Sequence, residues 1–182
     1  MLKKLKKFFV RYFFNDKWKC QRCGREIFDG YFCPECMKVL PKNDGNICNR
    51  CGRKTDYPED YCITCSGTEF SADMCRSAFY YNEISGALIH RFKYRNKRYM
   101  ANMFSEFLAN LYFKNFMDAE MIVFVPMTEK EKRERGYNQS ELLADKLSER
   151  LNLPVVPAVG KVKDTVHQVG LDREQRLKNL KG

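Results

Sequence analysis

The chain has 182 residues, with 33 Lys/Arg against 23 Asp/Glu and a formal charge of +10. That length holds one medium and one small domain, and no apolar run approaches the roughly eighteen residues of a membrane span. The opening MLKKLKKFFVRYFF lacks the unbroken apolar stretch and small-residue cleavage site of a secretory leader, so a cytoplasmic protein is the expectation.

Charge is unevenly held. Residues 1–19 carry seven Lys/Arg against Asp16 alone, residues 20–70 seven against eight acids, and residues 71–182 nineteen against fourteen. A polyanion would therefore meet the ends of the chain rather than its middle. In the leader, Leu2, Leu5, Phe9, Tyr12 and Phe13 fall on one helical face, with Lys3, Lys4, Lys7 and Arg11 largely on the other, which predicts an amphipathic helix over residues 2 to 14. Docking of its apolar face on the following domain is the favoured reading, because so short a helix needs a packing partner. Peripheral contact with an anionic membrane is the alternative.

Eight of the nine cysteines form four C-x-x-C pairs in a duplicated frame. Cys20-Gln21-Arg22-Cys23-Gly24-Arg25 is echoed by Cys48-Asn49-Arg50-Cys51-Gly52-Arg53, and Phe32-Cys33 to Cys36 by Tyr61-Cys62 to Cys65. This is metal-ligand spacing, and it predicts two structural zinc ions. Cys20, Cys23, Cys33 and Cys36 would hold one, and Cys48, Cys51, Cys62 and Cys65 the other. Spacing also allows a cross-braced arrangement, although sequential sites fit the repeat better. With about 25 residues per unit there is little apolar surface, so the metal would supply folding energy rather than catalysis. Cys75 is left over.

After a polar linker over residues 66–73, Ala78 to Tyr81 reads as a strand, and residues 84–94 and 99–112 as helices. Between them, Arg91, Phe92, Lys93, Tyr94, Arg95, Lys97 and Arg98 form a cluster with five cations and no acid. It reads equally as a nucleic-acid-binding patch, with aromatics stacking on bases, or as a solvated helix end whose aromatics face the core.

Ile122 to Val125 is short, apolar and β-branched, which predicts a strand buried on both faces and ended by Pro126. The charged stretch Met127 to Tyr137 reads as a loop. There Lys130, Lys132, Arg133 and Arg135 alternate with Glu129, Glu131 and Glu134. Asn138, three residues before Glu141, then caps a helix carrying Leu142, Leu143, Leu147 and Leu151. Strand, loop and helix in this order place a candidate site in the loop, at the carboxyl end of the strand. Pro154-Val155-Val156 reads as a further strand, and residues 157–176 as a long irregular segment.

The run from Val125 to Ala144, with Arg135-Gly136-Tyr137-Asn138-Gln139 at its centre, closely resembles the ComF family of bacterial competence proteins. Phe92 to Arg95 and the later Thr165, Gln168, Leu171, Arg173, Arg176 and Asn179 extend the likeness. The resemblance implies an α/β protein: a small double zinc ribbon followed by an incomplete type I phosphoribosyltransferase-like parallel-sheet domain. The expected segments are residues 1–19 as the leader helix, 20–70 as the ribbons and 71–182 as the sheet domain.

By the same resemblance, Pro126, Met127, Thr128, Lys130, Arg133, Arg135 and Gly136 would flank a pyrophosphate. The family's adjacent acidic pair with its Thr/Gly-rich turn is absent, so magnesium and phosphoribosyl pyrophosphate are expected only with a complete domain. The implied role is accessory, in DNA uptake, with single-stranded DNA and other uptake proteins as partners. Phosphoribosyl transfer is the alternative, open until that motif is supplied.

Overall fold

The computed structural model describes residues 18–58, 60–68, 71–115, 118–162, 165 and 170–180. The leader helix expected over residues 2 to 14 lies outside them. Two short helices, α1 (Pro34–Lys38) and α2 (Ile63–Ser66), belong to the cysteine-rich part. Five more follow: α3 (Glu83–Tyr94), α4 (Met100–Asn115), α5 (Glu129–Arg135), α6 (Gln139–Leu151) and α7 (Arg173–Leu180). None of the described helices is long and apolar enough to cross a membrane.

The helical pair after the linker forms where its periodicity predicts. Asn82 and Ser85 exchange side-chain and backbone hydrogen bonds at the start of α3, closing a reciprocal cap. Asn138 caps α6 as expected, its Oδ1 accepting from the amides of Ser140 (2.9 Å) and Glu141 (3.4 Å). The Glu141 carboxylate accepts from Lys132 at 2.8 Å on the preceding helix. Helix α6 packs along α4. Leu88, Phe92, Met100, Ala101 and Met103 are buried between the helices, with Phe104, Phe107 and Leu142 against them. Deleting a side chain such as Met103 from such a core costs about 2–5 kcal/mol.

The parallel-sheet domain is not seen among the described residues. Among them no strand forms, and pairing is limited to four isolated bridges. The predicted strand Ile122 to Val125 makes one parallel bridge, to Val155. The Ile122 amide donates to the Pro154 carbonyl and the Val156 amide to the Ile122 carbonyl, both at 2.9 Å. A parallel strand needs a partner paired along its length and cover on both faces. Here one edge meets one short segment, and Val123 and Val125 remain 46% and 73% exposed. Ala78 to Tyr81 likewise yields a single antiparallel bridge, Phe79 to Lys42. The α/β, phosphoribosyltransferase-like architecture is therefore corrected to a helical assembly with a cysteine-rich unit at its start.

A second correction concerns the charged stretch after Pro126, which is a helix rather than a loop. Thr128 Oγ1 accepts from the Glu131 amide (3.2 Å) while the Glu131 carboxylate accepts from the Thr128 amide (3.0 Å). The reciprocal cap nucleates α5 without any apolar periodicity. Gly136 ends the helix at φ +84°, its amide donating to the Lys132 carbonyl at 2.8 Å. Part of the segment 157–176 is also helical, since α7 starts at Arg173.

Candidate metal centres and basic face

The duplicated cysteine frame is duplicated in three dimensions. Cys20 and Cys48 donate their amides to the carbonyls of Arg25 and Arg53, at 2.8 and 2.9 Å. Gly24 and Gly52 return theirs to the carbonyls of Cys20 and Cys48, each at 2.9 Å. Bridges Lys19 to Glu26 and Ile47 to Lys54 close the two hairpins. Cys33 and Cys62, with φ/ψ of −68°/161° and −69°/159°, then start α1 and α2.

The thiols of Cys20, Cys23, Cys33 and Cys36 lie within 4.8 Å of one another, and so do those of Cys48, Cys51, Cys62 and Cys65. Each set could hold a metal ion, and the sets are sequential, not cross-braced. The Cys23–Cys33 and Cys51–Cys62 sulfur separations are both 3.8 Å. A tetrahedron of thiolates about 2.3 Å from a zinc ion has edges of about 3.8 Å, so the donor set and its spacing fit that ion.

Without a metal, the first cysteine of each set is the acidic one. Burial pushes the Cys20 thiol up, but the amides of Cys23, Cys33 and Arg22 outweigh it and bring it down to about 6. Cys48 is likewise raised by burial yet lowered to about 6 by the amides of Cys51, Cys62 and Arg50. The Cys36 amide draws Cys33 down, but burial and the Glu35, Cys36 and Cys23 side chains push it up to about 12. Burial and the thiols of Cys51, Cys62 and Cys48 do the same to Cys65. One negative charge per set is thus stabilised by backbone amides, and a cation would be needed to ionise Cys33 and Cys65.

The two basic stretches, Arg91 to Arg98 and Met127 to Gly136, meet in space. Arg98 Nη2 donates to the Gly136 carbonyl at 2.7 Å, and its guanidinium lies 4.9 Å from the centre of the Tyr137 ring. The Tyr137 hydroxyl donates to the Phe92 carbonyl, and Gln139 Nε2 to that of Lys93 at 3.4 Å. Arg135 stacks 5.1 Å from the Tyr94 ring centre and donates to Gln139 Oε1 at 2.8 Å. Gly136 belongs at this junction, because a Cβ there would stand 3.2 Å from Arg98 Nη2.

Not every expected residue faces solvent. Phe92 is buried against Phe104 and Tyr137, and Arg91 donates to the buried Gln21 at 3.0 Å. Lys93, Tyr94, Arg95 and Arg98 are exposed, and Lys97 lies 5.8 Å from the Tyr99 ring centre. On the facing stretch, Lys130 and Arg133 are exposed, Pro126 and Met127 half-buried, and Thr128 serves as the helix cap. Lys132 is paired with Glu141. A surface cavity of about 280 Å³ opens between the two stretches, lined by Lys93, Tyr94, Asn96, Glu131, Glu134 and Arg135. Sequence reading overlooked Asn96 and the two glutamates as site residues, because acids in an alternating charge run look like solvated surface.

No family profile matches the chain, and no solved structure matches it significantly. Two curated proteins do. "Competence protein F" of Haemophilus influenzae is 32% identical over 181 residues, covering 93% of this chain and 76% of that protein. "Competence protein ComFC" of Bacillus subtilis is 27% identical over 138 residues, covering 70% of this chain and 56% of that protein. The Haemophilus match runs through both cysteine sets and the basic face alike, and by it the chain belongs to the ComF family of competence proteins.

Proposed function

We propose that the chain works in natural competence as a zinc-dependent module that binds single-stranded DNA. The competence-related role comes from the two relatives. The DNA reading rests chiefly on one observation: two cation-bearing stretches, about forty residues apart in sequence, share a face with the exposed Tyr94 ring. Cations there neutralise phosphates and the aromatic accepts a base, a combination that binds single strands with little regard to sequence. The zinc ions have a structural part, since four thiolates leave no coordination position open.

Fluorescence titration of the full chain with a labelled single-stranded oligonucleotide, repeated from about 50 to about 200 mM salt, tests the reading. Affinity should fall with salt. In the Lys93→Ala/Arg95→Ala variant the slope of log affinity against log salt should flatten by about 0.7 for each cation lost. Unchanged affinity and slope in that variant would place any DNA contact elsewhere and defeat the proposal.

A further inference from the structure

The cavity between α3 and α5 contains something that a plain phosphate-binding face would lack. Glu131 is committed to its helix cap and to Lys161, which donates to its carboxylate at 2.7 Å, and this pairing holds its carboxyl below the usual range. Glu134 lines the same cavity with no hydrogen bond or ion pair among the described residues. A free carboxylate next to Lys93 and Arg135 weakens attraction for a polyanion, unless it meets a donor that the nucleic acid itself brings.

The rest of the lining suits a base. Tyr94 is 49% exposed, with His90 at 5.0 Å between ring centres and the Arg135 guanidinium at 5.1 Å. Arg135 is in turn held by Gln139 at 2.8 Å, which fixes the guanidinium over the Tyr94 ring. Bases stack on both kinds of plane. Lys93 and Arg95 stand exposed on the same turn and at the end of α3, within reach of the flanking phosphates.

We propose that this cavity is a base-reading subsite for single-stranded DNA, in which a base stacks on the Tyr94–Arg135 pair and donates its exocyclic amino group to Glu134. The inference rests on the DNA-binding reading above and adds a preference to it. Cytosine offers an N4 amino group, adenine an N6 amino group and guanine N1–H with an N2 amino group, whereas thymine has only N3–H between two carbonyl oxygens that repel a carboxylate. The subsite therefore favours amino-bearing bases over thymine, while the surrounding cations treat all sequences alike.

Binding of the full chain to labelled dC and dT oligomers of equal length, roughly twenty nucleotides, is compared at low salt and slightly alkaline pH. Because phosphate number is the same, the ratio of affinities isolates the base term. The wild type should bind the dC oligomer about three- to tenfold more tightly. Glu134→Ala should bring the ratio close to one without weakening dT binding, and Tyr94→Ala should weaken both oligomers. Both substitutions are at exposed positions, and circular dichroism checks that the helices persist. Equal binding by the wild type, or a preference that survives Glu134→Ala, overturns the subsite while leaving the DNA-binding reading intact. Absence of binding to either oligomer overturns both.

Discussion

The first cysteine unit, residues 19–38, and the second, residues 47–66, share hairpin, helix start and sulfur spacing, and they differ in what lies behind them. Cys20, Cys33 and Cys36 are packed in one cluster with Ile27, Phe32, Leu40, Leu88, Phe92 and Met103. Among the described residues, Cys48, Cys62 and Cys65 have only Cys51 packed against them in their cluster. Corresponding positions tell the same story: Phe32 is 5% exposed where Tyr61 is 49%. The second unit is instead clasped by polar contacts. Arg50 donates to the Cys65 carbonyl at 3.0 Å, Arg76 to that of Asn49 at 2.8 Å, and Asn43 to that of Gly52 at 2.8 Å. Equal ligand sets thus stand on unequal foundations. Apolar burial supports the first whether or not a metal is bound, whereas the second, with no comparable apolar backing among the described residues, would rely on a bound ion.

Metal removal should break the symmetry most. Structural zinc sites of this kind contribute about 10–16 kcal/mol of apparent binding energy, nearly all of it folding energy when no core is present. Protein purified without added metal should contain two zinc ions per chain by elemental analysis, and Cys48→Ser should lose one. After chelation, hydrogen exchange should show the Asn49, Gly52 and Thr55 amides unprotected, while those of Gln21, Gly24 and Ile27 keep part of their protection. On return of metal the first equivalent should restore the first unit. Equal loss of protection in both units would refute the comparison.

The next largest effect separates two matched aromatics. Phe32→Ala should cost about 3–5 kcal/mol in global stability by denaturant unfolding, since it opens a cavity beside Phe107, whose ring centre is 6.4 Å away. Tyr61→Ala, at the corresponding position, loses a stacked Arg50 at 4.8 Å and should cost only about 0.5–1 kcal/mol. Similar costs at the two sites would mean that the second unit has apolar support not seen in its packing.

Smallest is a pair of glycine substitutions. Gly24 and Gly52 both have positive φ, +76° and +68°, so alanine at either should cost about 1–2 kcal/mol. A Cβ at Gly24 meets nothing within 4 Å, whereas one at Gly52 would stand 2.5 Å from the Cys75 carbonyl oxygen. Since that neighbour is backbone, Gly52→Ala should cost distinctly more and release the segment around Cys75 and Arg76. Thermal unfolding of the zinc-loaded variants measures the difference, and equal shifts would show that the segment yields freely.

Sequence by itself determined what short-range chemistry controls. C-x-x-C turns repeated at offsets of 28 and 29 residues specify the thiol sets, because the ligands of each are close along the chain. Asn138 and the leucine spacing specify α6, and the Thr128-to-Glu131 cap that starts α5 was equally legible but masked by the charge run around it. Tertiary structure decided the rest. Ile122 to Val125 has the composition of a buried strand, yet a strand exists only where another segment completes its ladder, and a single bridge to Val155 does not. The phase of α3 carries Phe92 into the core with Leu88 and leaves Tyr94 outside, which divides a cluster that reads as one patch in the sequence. Among the described residues, near-identical cysteine repeats became one unit backed by the apolar side chains of α3 and α4 and one held chiefly by polar contacts. Such packing is a long-range fact that no local pattern of residues records.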